Sequence, residues 1–282
     1  MITGRRNLHA CCFLVMLATF FMTSPASGLI TAEDVANQVK EAMRAGATAE
    51  DAVKSVIASA IVQGMSAKDA AAAATKAGAE VAFTLAKDIN AAIQGAVSGA
   101  ASGTIAAGQD ANAAIEGACQ GVISAAAAAD ADTQLAAWMA VGASVKHAVQ
   151  HNLDSADAAC AAVTGAMTGA DAFGLDSKEI AGVVSGSTKG AIATAMITGQ
   201  DTRAMATAVQ SCVYSAAETH GLDPADLAMV AAKAASTADT IPTEVLSPPE
   251  MAPARRAPEG PAMPAPEPDP IEPVPDPVAS GV

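Results

Sequence analysis

His147 and His151 stand one helical turn apart, and two imidazoles so spaced can present two nitrogens to one metal ion. The glutamate of a zinc-hydrolase helix is missing between them, and spacing supplies no third ligand. Both fall in the last turn of a predicted helix, as His220 does in another unit, where a partly positive imidazole complements the negative helix end. A structural role is therefore expected for all three.

Cysteine chemistry is bounded as closely. Outside the N-terminal stretch there are three cysteines, Cys119, Cys160 and Cys212, with no CxxC spacing, so neither a dithiol redox motif nor a cysteine zinc site is expected. An odd number allows at most one internal bridge and one leftover thiol. Each lies among small residues in an alanine-rich helical pattern, which favours reading all three as buried small hydrophobes.

Aspartates recur along the chain but form no DxDxDG-type calcium loop. Pairs such as Glu33 with Asp34, or Asp130 with Asp132, read as solvated turn residues. The serines have no histidine neighbour in a nucleophile motif, and no glycine-rich phosphate loop follows a strand because the pattern holds no strand. Phe83, Trp138, Phe173 and Tyr214 are the aromatics beyond the N-terminal stretch. Four rings are too few to line a cofactor pocket and are expected to plug core gaps. No catalytic residue, cofactor or metal is predicted.

What the chain does specify is a set of repeated elements. Short polar residues that start helices occur at Thr31, Thr48, Ser66, Asp88, Asp110, Asp132, Asp154, Asp176, Asp201 and Asp223, most of them 22 residues apart. Two positions before six of these ten stands a glycine (Gly46, Gly64, Gly108, Gly174, Gly199, Gly221), and Asn152 precedes a seventh. Glycine or asparagine closes one helix in the left-handed region, and the Thr, Ser or Asp side chain then accepts the free amides of the next. An acid three residues on, at Asp34, Asp51, Asp69, Asp157, Glu179 and Asp226, fits a capping box. Pro224 takes the first helical position. Ile30 with Val35, Leu175 with Ile180 and Leu222 with Leu227 have hydrophobic-staple spacing.

The fold class expected is all-α: an array or bundle of about ten short helices, in single-helix repeats of 17–25 residues, joined by tight Gly-x-Asp/Ser/Thr turns. The 25-residue unit at Asp176 fits one added turn. The junction before Asp88, with Ala86 and Lys87 in place of the usual signal, allows a longer bent helix.

Glycines also sit inside helices at four-residue spacing, as Gly95, Gly99 and Gly103, and again as Gly182, Gly186 and Gly190. Gly117 with Gly121 and Gly165 with Gly169 repeat the spacing. Such glycines line one helix face and admit a second backbone. These two triplets are the predicted interaction grooves, for a partner helix or another copy of the chain.

The ends differ from this middle. Residues 1–28 have Arg5 and Arg6, an apolar run from Cys11 to Met22, then small residues around Ala26, the layout of a signal peptide cut after Gly28. The run is too short to span a bilayer. Residues 29–240 form the repeat domain, and 241–282 an acidic tail with thirteen of the fifteen prolines, expected to be disordered. The expected location is secreted or periplasmic.

A net charge of −14 disfavours nucleic acid and anionic membrane surfaces as partners. The function expected is an exported, non-catalytic structural or protein-interaction scaffold that can self-associate. A membrane-active protein using glycine-zipper helices is the alternative, since Ile89 to Gln109 carries no charge. Against it, that stretch lacks leucine, and lipid-binding repeats need bulky apolar side chains and flanking basic residues that are scarce here.

Overall fold

A computed structural model describes residues 30–85 and 88–238. The predicted signal peptide and proline-rich tail lie outside them. All regular structure among the described residues is helical: α1 (Ala32–Arg44), α2 (Ala49–Val62), α3 (Ala67–Leu85), α4 (Ile89–Ala106), α5 (Ala111–Ala128), α6 (Thr133–Gln150), α7 (Ser155–Phe173), α8 (Ser177–Thr198), α9 (Thr202–Thr219) and α10 (Pro224–Ala238). The extended unit is α8, at 22 residues.

Each predicted start is a cap. The side chains of Thr31, Thr48, Asp88, Asp110, Asp132, Asp154, Asp176 and Asp201 accept amides of the following first turn. Ser66 and Asp223 do so for α3 and α10. Reciprocal capping boxes form at Thr31 with Asp34 and at Asp176 with Glu179. The Thr31 hydroxyl and backbone N–H both donate to Asp34, which holds its carboxyl below the usual range. At Thr48 and Ser66 the hydroxyl donates to the acid three residues on.

Helix stops follow one rule. Gly46, Gly64, Gly108, Gly174, Gly199 and Gly221 all have positive φ, and so do Asn152 and Asp130. At all eight of these corners the next amide bonds back to the carbonyl five residues before it, as Leu175 does to Ala170 and Ala131 to Ala126. Asp130, expected to be a solvated turn residue, thus fills the glycine's place, which a short polar side chain tolerates. At the remaining junction α3 ends at Leu85 and Asp88 caps α4, so two helices stand where one bent helix was allowed.

Packing arranges the ten helices in two rows. Every substantial helix contact is between neighbours one or two apart in the chain. Odd-numbered helices stack on odd and even on even, with short hairpins crossing between the rows. The core they bury is mostly alanine, with Ile57, Ile93, Ile115, Ile123, Met167 and Ile192 among its largest fully buried side chains. With side chains so small, dispersion contact requires backbones to approach closely.

Candidate functional site

That approach is made by the interior glycines. A Cβ added to Gly99 would lie 2.5 Å from the carbonyl oxygen of Glu50, and one on Gly103 would lie 2.6 Å from that of Lys54, setting α4 on α2. Gly117 and Gly121 face the carbonyls of Lys68 and Ala72, Gly165 and Gly169 those of Glu116 and Gln120, and Gly186 and Gly190 those of Gln134 and Trp138. In each pair the numbers rise together on both helices, so helices within a row run parallel. A Cα hydrogen points where the Cβ would be, toward the oxygen, in the manner of a Cα–H···O contact worth about 0.5–1 kcal/mol.

The predicted groove residues therefore divide. Gly99, Gly103, Gly186 and Gly190 are buried in seams filled by the chain's own helices, which leaves no room on them for a partner helix. Gly95 and Gly182 sit at the half-buried rim, with nearest neighbours at 3.3 Å (Glu50 N) and 3.8 Å (Gln134). Sequence spacing identifies the close approach but not which helix supplies the second backbone.

The cysteines divide too. Cys160 of α7 and Cys212 of α9 form a disulfide, with Cα atoms 5.4 Å apart, while Cys119 is free and buried. Reading all three as buried small hydrophobes is thus corrected for the first two and holds for the third. Burial pushes the Cys119 thiol up to about 12, slightly offset by its contact with Ser144 Oγ at 3.5 Å. It is a thiol at any ordinary pH and a poor nucleophile.

One register explains the bridge. Ala72 is six residues past its cap, Ser66, and meets Gly121, eleven past Asp110; Glu116 and Gly165 stand at the same two distances from Asp110 and Asp154. Cys160 and Cys212 occupy those distances from Asp154 and Asp201. The disulfide falls where the preceding odd-row seams place glycine against a carbonyl. Counting from the caps is the signal that would have paired the cysteines.

His147 is buried and its Nε2 has no hydrogen-bond partner; its ring stacks on that of His151 with centroids 4.2 Å apart. Burial first, and the nearby His151 second, lower its pKa to about 4. It is therefore neutral at pH 7 and does not complement the helix end as expected. His220, in contrast, is tied to Asp171 of α7 at 2.9 Å and lies 3.3 Å from Thr168 Oγ1. Among the described residues no three His, Cys, Asp or Glu side chains gather as a metal site.

Of the aromatics, Phe83 is buried and Trp138 half-buried, whereas Phe173 and Tyr214 are exposed and plug nothing. Phe173 ends its helix beside the Gly174 corner, and Tyr214 lies on α9, at the end of the odd row. An open pocket of about 260 Å³ lies where α1 to α4 meet, lined by Met43, Thr48, Val81, Leu85 and Asp88 among others. Its polar groups, Thr48 and Asp88, are already engaged as caps.

One described helix, α8, is long and apolar enough to cross a membrane, and 61% of its most apolar stretch is buried within the array. The uncharged segment from Ile89 does not meet that measure. No protein-family model and no curated protein matches this sequence.

Proposed function

We propose that this chain is an exported, non-catalytic scaffold that binds a protein partner or another copy of itself through one edge of the helical array. The carrying observation is that three of the seven exposed large apolar side chains among the described residues share one edge, while Leu85 and Phe173 end odd-row helices at the opposite one. The core is built largely of alanine, yet Val62, Ile105 and Ile197 are 82%, 39% and 59% exposed. They stand at the C-terminal ends of α2, α4 and α8, and helices of one row run parallel, so all three mark the same edge. The glycine grooves, filled from within, give the array its shape, and recognition falls to this edge. A protein interface with an apolar centre fits such a line of side chains.

Light scattering on the purified chain, with and without phospholipid vesicles, tests this. A discrete oligomer that dissociates when Val62, Ile105 and Ile197 are all changed to glutamate, and that ignores vesicles, supports the scaffold. Vesicle uptake or leakage would instead favour the membrane-active alternative.

A further inference from the structure

We propose that the Cys160–Cys212 disulfide is a redox latch on the α9–α10 hairpin, so that a dithiol reductant releases this hairpin while the rest of the array stays folded. The inference stands independently of the scaffold reading. It starts from the register of the odd row: where Ala72 meets Gly121 and Glu116 meets Gly165 backbone to backbone, α7 and α9 meet through a reducible bond. Neither α9 nor α10 contains a glycine, so no glycine seam holds them to the row.

The rest of their attachment is thin. Five residues of α9 are buried (Met205, Val209, Val213, Ala216, Ala217) and five of α10, against eleven of α5. His220 adds its bonds to Asp171 and Thr168. Beyond α10 no described helix packs on the hairpin. Both bridged cysteines are half-buried, which leaves the bond within reach of a thiolate.

The chemistry balances with an external dithiol. Its thiolate attacks one sulfur of the bridge and the other leaves as a thiolate that takes up a proton. The reagent's second sulfur then displaces the mixed disulfide, so the two cysteines gain two electrons and the dithiol is oxidised by two. Release uncovers the faces of α7 and α8 that the hairpin occupies, moving the end of the array back by one hairpin.

The test uses the full chain under native conditions with dithiothreitol, followed by iodoacetamide, peptide-resolved mass spectrometry and hydrogen exchange. Cys160 and Cys212 should be alkylated and Cys119 not, with exchange in residues 202–238 accelerated at least tenfold and that in 49–150 unchanged. A bridge that resists reduction overturns the proposal, as does reduction without faster exchange. Alkylation of Cys119 also overturns it, because the array would then be melting as a whole. Cys160→Ser combined with Cys212→Ser should show the fast exchange without reductant; if that variant loses helicity along its whole length, the bridge is a general staple and the latch is refuted.

Discussion

The seams joining α2 to α4, α3 to α5, α5 to α7 and α6 to α8 are made of glycine facing carbonyl, whereas the seam joining α7 to α9 is made of a disulfide and a histidine–aspartate pair. The first kind derives from geometry alone. The Lys68–Glu116 ion pair at 2.6 Å flanks the α3–α5 seam, but the glycine contact itself has nothing to reduce and survives only if nothing larger than hydrogen occupies the glycine. The second kind depends on the redox state of the surroundings. At the other end, α1, whose Val35 and Val39 are buried, meets α3 with a Lys40–Glu80 ion pair at 2.8 Å, again without a glycine pair. The paired glycine contacts of the middle are thus missing at both extremes of the array.

The sharpest way to break this contrast is to fill a seam. Gly165→Leu places a side chain against the backbone of Glu116, which cannot rotate away, and should cost about 3 kcal/mol or more by overpacking. Chemical denaturation of variant and parent measures it. Equal midpoints would mean that the seam is loose and the comparison empty.

A second prediction concerns pH. His147 is neutral in the folded chain, with a pKa near 4, but titrates near 6.5 when unfolded. Between those values the unfolded state binds the extra proton, so stability falls as pH drops from about 6.5 toward 4, by as much as about 3 kcal/mol. His147→Leu should remove most of that slope. Melting curves at pH 7 and pH 4.5 for both proteins test this, and an unchanged slope in the variant would show that another group carries the acid sensitivity.

The smallest effect has the opposite sign. Gly182 shares its helix with Gly186, yet a Cβ there meets nothing closer than 3.8 Å. Gly182→Ala should therefore stabilise by about 0.5–1 kcal/mol through helix propensity, while Gly186→Ala destabilises. If both change stability in the same direction, spacing alone governs these glycines and the seam geometry does not.

The local parts of this fold were legible in the sequence because each is written within a few residues. A left-handed stop two positions before a side-chain cap uses only neighbouring backbone, and the caps at Thr31 to Asp223 follow directly. Asp130 reads as a turn residue but not as a helix stop, because the left-handed role belongs to a minority of non-glycine residues. The partners of the glycine faces depend on how the rows fold over one another, information spread over some fifty residues; Gly99 meets Glu50 and Cys212 meets Cys160. Residue type marked the grooves as close-packing surfaces without saying whether a stranger or the chain itself would fill them. The exposed edge at Val62, Ile105 and Ile197 was also hidden, because helical periodicity locates a buried face but not how far its last turn extends beyond the neighbour.

Parallel rows also set the electrostatics of the molecule. Each helix carries a dipole equivalent to about half a charge at either end. The odd-numbered helices point one way and the even-numbered ones back, so five dipoles oppose five and their distant fields cancel. Each edge becomes a stripe of positive helix ends from one row beside a stripe of negative ends from the other, with an aspartate seated on most of the positive ones. A molecule approaching from afar senses little of the backbone. It meets the net charge of −14, screened within about 8 Å at physiological salt, and resolves the two opposed stripes only on contact.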